Sequence, residues 1–173
     1  SSDVCSSDLI EYFNQHPEVK LVIAPHVIDE NHLVEIIRKL KRPYVRYTRA
    51  DEKNVRKADC LIIDCFGLLS SIYRYGEIAY IGGGFGVGIH NTLEAAVYGI
   101  PVIFGPKYQK FQEAIQLLEA KGAFSVKDYE ELKTLLDRML TDEVFLRESG
   151  MNASNYVTGN AGATDKIMSM INF

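Results

Sequence analysis

The chain has 173 residues, 47% of them hydrophobic and 24% charged, with a formal charge of −4 at neutral pH. That length fits one domain with a core of its own, the composition is that of a soluble globular protein rather than a disordered one, and no apolar run approaches the ~20 residues of a membrane span. A slightly acidic chain also lacks the concentrated basic surface that nucleic acid demands, so nucleic acid is not expected as a partner.

The first nine residues, SSDVCSSDL, stand apart from the rest of the chain. They carry an SSD repeat without amphipathic period, have neither the basic start nor the apolar middle of a signal peptide, and look like a translated library adapter. Residues 1–9 are therefore set aside as foreign, and the fold is expected to occupy residues 10–173 as a single domain. Cys5, Cys60 and Cys65 are too few and too irregular for a disulfide framework; a small buried thiol accounts for Cys60 and Cys65 beside an apolar run.

From Ile10 onward apolar strand patterns alternate with amphipathic helices. VKLVIA (Val19 to Ala24) is a nearly continuous apolar run ended by Pro25, the pattern of a parallel strand covered on both faces. Ile28, Leu33, Ile36, Ile37 and Leu40 repeat at helical spacing, with Asp29 or Asn31 available as cap. YVRYT (Tyr44 to Thr48) and CLIID (Cys60 to Asp64) read as strands. Between them, Arg49, Asp51, Glu52, Lys53, Arg56 and Lys57 mix both signs, which suits a solvated surface loop.

A short helix is expected around Leu68 to Tyr73, a strand over Glu77 to Ile81, a glycine loop, a helix over Thr92 to Tyr98 and a strand over Pro101 to Phe104. Gly99 and Pro101 punctuate the end of that helix in the usual order. Helices follow at about Phe111 to Ala120, Tyr129 to Leu140, Glu143 to Tyr156 and Thr164 to Ile171. Strands alternating with helices predict a doubly wound parallel α/β sheet, which binds ligands at the carboxyl ends of its strands.

The glycine loop lies at such an edge. Gly82, Gly83, Gly84, Gly86 and Gly88 give access to positive φ and let backbone approach a ligand, and a helix start with free N–H groups comes next, a seat for phosphate. No G-x-G-x-x-G register and no G-x-x-x-x-G-K-[ST] can be drawn here, so dinucleotide oxidoreductase and P-loop readings lose their support. Asn91 and Glu94 have two readings: a helix cap with a returning carboxylate, or a cleft-facing pair in which Glu94 accepts from ribose hydroxyls. His90 either packs on the loop or touches a phosphate.

IGGGFGVGIHNTLEAAVYGIPVIFGP resembles the signature of the 3-deoxy-D-manno-octulosonic acid (Kdo) transferases, which read GG-S/G-F and then GGHN-x-LE-x-A-x-x-G-x-P-V-x-x-GP. APH (Ala24 to His26) resembles the family's AP-[RH]-H loop, FGLLSSIYRYGEIAYIGGG its IGEL-x-x-x-Y-x-x-A segment, and KFQEA (Lys110 to Ala114) its N-F-x-E element. These matches run in order from about residue 19 to 114. The resemblance implies a Rossmann-like domain, the C-terminal, donor-binding half of a two-domain GT-B glycosyltransferase. It implies transfer of Kdo from CMP-Kdo to a lipid A precursor in lipopolysaccharide assembly, with inversion, without metal, and with no cofactor beyond the donor substrate.

On that resemblance Gly83 and Gly84 admit the donor, and His90, Asn91 and Thr92 at the helix start oppose its phosphate. Glu94, with the loops at Pro25 and His26 and at Gly67, Leu68 and Ser70, holds ribose and cytosine, and Lys110 and Phe111 line the sugar side. No catalytic base is assigned to this chain. The base, the acceptor contacts and the association with the cytoplasmic face of the bacterial inner membrane are expected of an N-terminal domain that this chain does not include.

The chain departs from the family at Leu69, where a Glu is usual, at Ile89, where a second Gly is usual, and in the loop after Pro25, which reads His26-Val27 and holds no arginine. Two other readings stay open: a GT-B transferase or epimerase using a UDP-sugar, and a non-enzymatic nucleotide-binding domain whose glycines only make a turn.

Overall fold

A computed structural model describes residues 3–82 and 91–171. The chain forms two compact units, one of Ser6–Ser71 and one built on Ile72–Phe173. Each contains a three-stranded, wholly parallel sheet, so the strands expected in one sheet are arranged as two. Parallel strands joined through helices make each a Rossmann-like α/β layer.

In the Ser6–Ser71 unit, β1 (Leu21–Ile23), β2 (Tyr44–Arg46) and β3 (Cys60–Ile62) lie in the order β1-β3-β2, with Leu21 and Tyr44 both in register with Cys60. Helix α2 (Glu30–Lys39) joins β1 to β2 and is capped by Asp29, whose carboxylate accepts from the His32 amide at 2.9 Å. Its Leu33 and Ile36 enter a core with Ile10, Phe13, Leu21, Cys60 and Ile62. The mixed-charge connection carries one more helical turn, α3 (Glu52–Val55), closed by a reciprocal cap between Asp51 and Asn54. Burial pushes the Cys60 thiol up to about 12, slightly offset by Arg42, so it is an inert packing group.

Helix α1 (Asp3–Gln15) starts inside the segment set aside as foreign. Its apolar stripe straddles residue 9: Leu9 packs on the core formed with Ile10 and Phe13, while Lys39 donates to the Ser7 hydroxyl at 2.8 Å. The first nine residues on their own show no period because the stripe that uses them lies mostly beyond them. Arg42 ties down the helix's far end and the turn after it by donating to the carbonyls of Phe13 (2.8 Å), His16 (2.9 Å) and Pro17 (3.0 Å).

In the Ile72–Phe173 unit, β4 (Ala79–Ile81), β5 (Val102–Phe104) and β6 (Ala123–Ser125) lie in sequence order. Central β5 is completely buried, as its unbroken apolar run requires. Helix α4 (Leu69–Ile72) leads through a 3-10 turn into this unit, and α5 (Leu93–Ala96) is a single turn, shorter than the helix expected over Thr92 to Tyr98. Helices α6 (Gln112–Glu119) and α7 (Tyr129–Thr141) follow. The α7 start is capped by Asp128, whose carboxylate accepts from the Glu131 amide at 2.9 Å, while the Glu131 carboxylate accepts from the Lys127 amide, one residue before the cap, also at 2.9 Å.

Strand β6 and the continuity of α8 (Glu143–Met170) differ from expectation. The single α8 replaces two helices, because Gly159 and Gly162 continue the helix rather than break it. Its first half packs Ala153, Tyr156 and Val157 on the core, and from Thr158 on its described side chains are exposed.

Candidate functional site

In the Ser6–Ser71 unit the adjacent strands β1 and β3 discharge into two loops at their carboxyl ends. The β1–α2 loop, residues 24–29, carries half-buried Pro25 and exposed His26; the β3–α4 loop, residues 63–68, carries exposed Gly67 and half-buried Leu68, with exposed Ser70 in the helix after it. Gly67 turns at φ +89°, in the left-handed region that glycine enters without strain. The five expected contacts Pro25, His26, Gly67, Leu68 and Ser70 thus share one sheet edge.

The same edge holds an ion network that the sequence pattern does not announce. Arg46, at the end of β2, donates from Nε to Asp64 Oδ2 at 2.9 Å and from both terminal nitrogens to Glu30, at 2.9 and 3.1 Å. Asp64 also accepts from the Thr48 amide at 2.9 Å and its hydroxyl at 2.6 Å. Only 1% of the Asp64 side chain is exposed. Burial pushes its carboxyl up, but the Thr48 hydroxyl and amide and the Arg46 guanidinium outweigh burial and hold it at about 2. The signal for Asp64 is an ionisable residue ending a buried apolar strand. Arg46 gives none, since its partners lie 16 and 18 residues away. Phe66, 82% exposed beside Gly67, is a further residue to which the sequence assigns no role.

In the Ile72–Phe173 unit the glycine loop follows β4. Gly83, Gly84 and His90 lie outside the described residues. Beyond them, Asn91 accepts from the Leu93 amide at 3.0 Å and donates to Glu94 Oε1 at 3.3 Å. Glu94 therefore meets the Asn91 side chain rather than the backbone N–H that a capping box would use. Thr92 is buried, and among the described residues its hydroxyl has no hydrogen-bond partner. Tyr73 packs on this unit's core, and burial, helped by the Glu94 charge, pushes its phenol up to about 12. With α5 only one turn long, its aligned peptide dipoles are few.

Lys110 is exposed after β5, and Phe111, the N-cap of α6, packs against the unit's core. Asn91, Thr92, Glu94, Lys110 and Phe111 thus come after the carboxyl ends of the paired strands β4 and β5. A cleft of about 370 Å³ lined by Glu77, Glu143 and Arg147 lies at the amino ends of those strands, the edge that α/β sheets do not use for ligands. Among the described residues no cluster of three or more His, Cys, Asp or Glu is placed to hold a metal, and no helix is long and apolar enough to cross a membrane.

No protein-family model matches the chain. It is 36% identical over 128 residues to a 3-deoxy-D-manno-octulosonic acid transferase of Aquifex aeolicus, covering 73% of this chain and 35% of that protein. With the Chlamydia muridarum protein of the same name it shares 29% over 140 residues, 79% of this chain and 32% of the relative. The chain therefore spans about a third of the length of these relatives. Its fold matches the crystal structure of the C-terminal CMP-Kdo binding domain of WaaA from Acinetobacter baumannii with a TM-score of 0.74 at 18% identity, covering 90% of this chain and 82% of that one. The chain belongs to the 3-deoxy-D-manno-octulosonic acid transferase family.

Proposed function

We propose that this chain is the donor-binding part of an enzyme that transfers Kdo from CMP-Kdo to a lipid A precursor. The observation that carries the proposal is the ordered run of family motifs, from APH through NTLE to KFQEA, each following the carboxyl end of a parallel strand, in a chain 36% identical to a Kdo transferase. In this reading, which follows the family motif, the loops at Pro25 and Gly67 are the cytidine contacts of the Ser6–Ser71 unit and the Glu94 carboxylate is the ribose contact of the Ile72–Phe173 unit. His90 and Asn91 face the phosphate, and Lys110 lines the sugar side. Because α5 is one turn long, individual amides and side chains rather than a helix dipole oppose the phosphate charge.

An acceptor hydroxyl attacks the anomeric carbon of Kdo while the bond from that carbon to the phosphate oxygen breaks, with inversion. The electron pair leaves with CMP, and the acceptor proton passes to a base outside this chain. Groups that hold the phosphate more tightly as its charge grows lower the barrier, and the reading calls for no metal. In this reading the acceptor is a membrane lipid and the complete enzyme works at the cytoplasmic face of the inner membrane, with its acceptor contacts in the two thirds of the relatives that this chain does not span.

Calorimetric titration with CMP tests the proposal. CMP is expected to bind more tightly than UMP or UDP, and a stronger response to UDP overturns the assignment in favour of a UDP-sugar. Glu94→Ala is expected to weaken CMP about tenfold, equivalent to ~1.4 kcal/mol. The Asn91 contacts with Leu93 and Glu94 favour one rival, in which this pair only caps a turn. Under that rival Glu94→Ala lowers stability and leaves CMP affinity where it was.

A further inference from the structure

Arg46 has no place among the proposed donor contacts, yet its hydrogen bonds reach the boundaries of both loops that do. Glu30 is the first residue of α2, directly after the 24–29 loop; Asp64 is the second residue of the 63–68 loop. The guanidinium meets Glu30 with two nitrogens at 2.9 and 3.1 Å and Asp64 with the third at 2.9 Å. Its planar fork fixes the direction of all three bonds, which a lysine ammonium cannot do. Thr48 holds the other carboxylate oxygen of Asp64 through its amide, so the far end of the bridge is anchored where β2 ends.

Exposed ion pairs contribute little to stability, and the Glu30 side chain is 66% exposed. A pair with one open arm and one shielded, bidentate on the open side, is suited to fixing a distance. We propose that Arg46 is a positioning residue of the donor site: by holding Glu30 and Asp64 at once it keeps the β1–α2 loop and the β3–α4 loop at the separation one nucleoside needs. The inference rests on the reading that these loops grip the cytidine of CMP-Kdo.

The test uses the full chain with Glu30→Gln, Arg46→Lys and the two combined. Glu30→Gln removes only the exposed arm and leaves Arg46 on Asp64. It is expected to shift the amide resonances of residues 65–68 as well as those of its own loop, and to weaken CMP three- to tenfold without lowering the melting temperature. Arg46→Lys is expected to weaken CMP to a similar degree, and the double variant no further, since both break one bridge. Shifts confined to residues 24–32, unchanged CMP affinity in Glu30→Gln, or losses that add in the double variant each overturn the proposal. If the unaltered chain fails to bind CMP, the donor reading falls with it, while the amide shifts still report whether Arg46 couples the loops.

Discussion

Asp64 stays ionised at the end of β3 although water barely reaches its side chain, because Thr48 and Arg46 replace the lost hydration with directed donors. A carboxyl held at about 2 stabilises the fold above its ordinary range near 4, and that contribution disappears as pH falls through the lower value. Urea unfolding is therefore expected to find Asp64→Asn less stable by on the order of 2 kcal/mol at pH 6, with the gap closing between pH 4 and pH 2. A gap that persists at pH 2 would assign the loss to packing instead. Thr92 shows the opposite imbalance, a buried hydroxyl that no donor or acceptor among the described residues meets. Thr92→Val keeps the shape and removes the unmet group, so thermal unfolding is expected to show a gain of about 1 kcal/mol.

Among the elements, α8 depends most on what its glycines lack. A Cβ on Gly122 would come within 2.6 Å of the Ala153 nitrogen and Cα, and one on Gly150 would run into the Gly99 carbonyl oxygen. Helix α8 crosses both points at backbone contact distance. Gly→Ala inside a helix ordinarily gains about 0.5–1 kcal/mol, but overpacking against backbone costs about 1–3 kcal/mol. Gly150→Ala is thus expected to destabilise. Gly159→Ala and Gly162→Ala, whose Cβ atoms would meet nothing within 4 Å, are expected to stabilise by ordinary propensity. Equal thermal shifts for all three would rule out the close crossing. Strand β6 is not legible in the sequence because three residues, Ala, Phe and Ser, hold too little apolar pattern to register. It exists because β5 offers it a parallel edge, with Val102 opposite Ala123.

For the whole molecule, a chain that spans about a third of its relatives is expected to bind CMP and transfer nothing on its own. Measurable Kdo transfer by the isolated chain, read as the mass change of a lipid A precursor, would contradict the division of labour proposed here. The alternation of strand and helix, the cap at Asp29 and the family motifs were legible from the sequence, because each depends on residues within a few positions of one another. Capping, periodicity and turn chemistry are local, so the order of residues alone determines them. Tertiary structure decided the grouping of strands into two sheets of three, the recruitment of residues 3–9 into α1, the crossing of α8 over Gly150, and the bridge from Glu30 through Arg46 to Asp64. Each of those joins groups far apart in the chain, and which distant groups meet is set by the packing of whole elements rather than by any spacing a linear sequence displays.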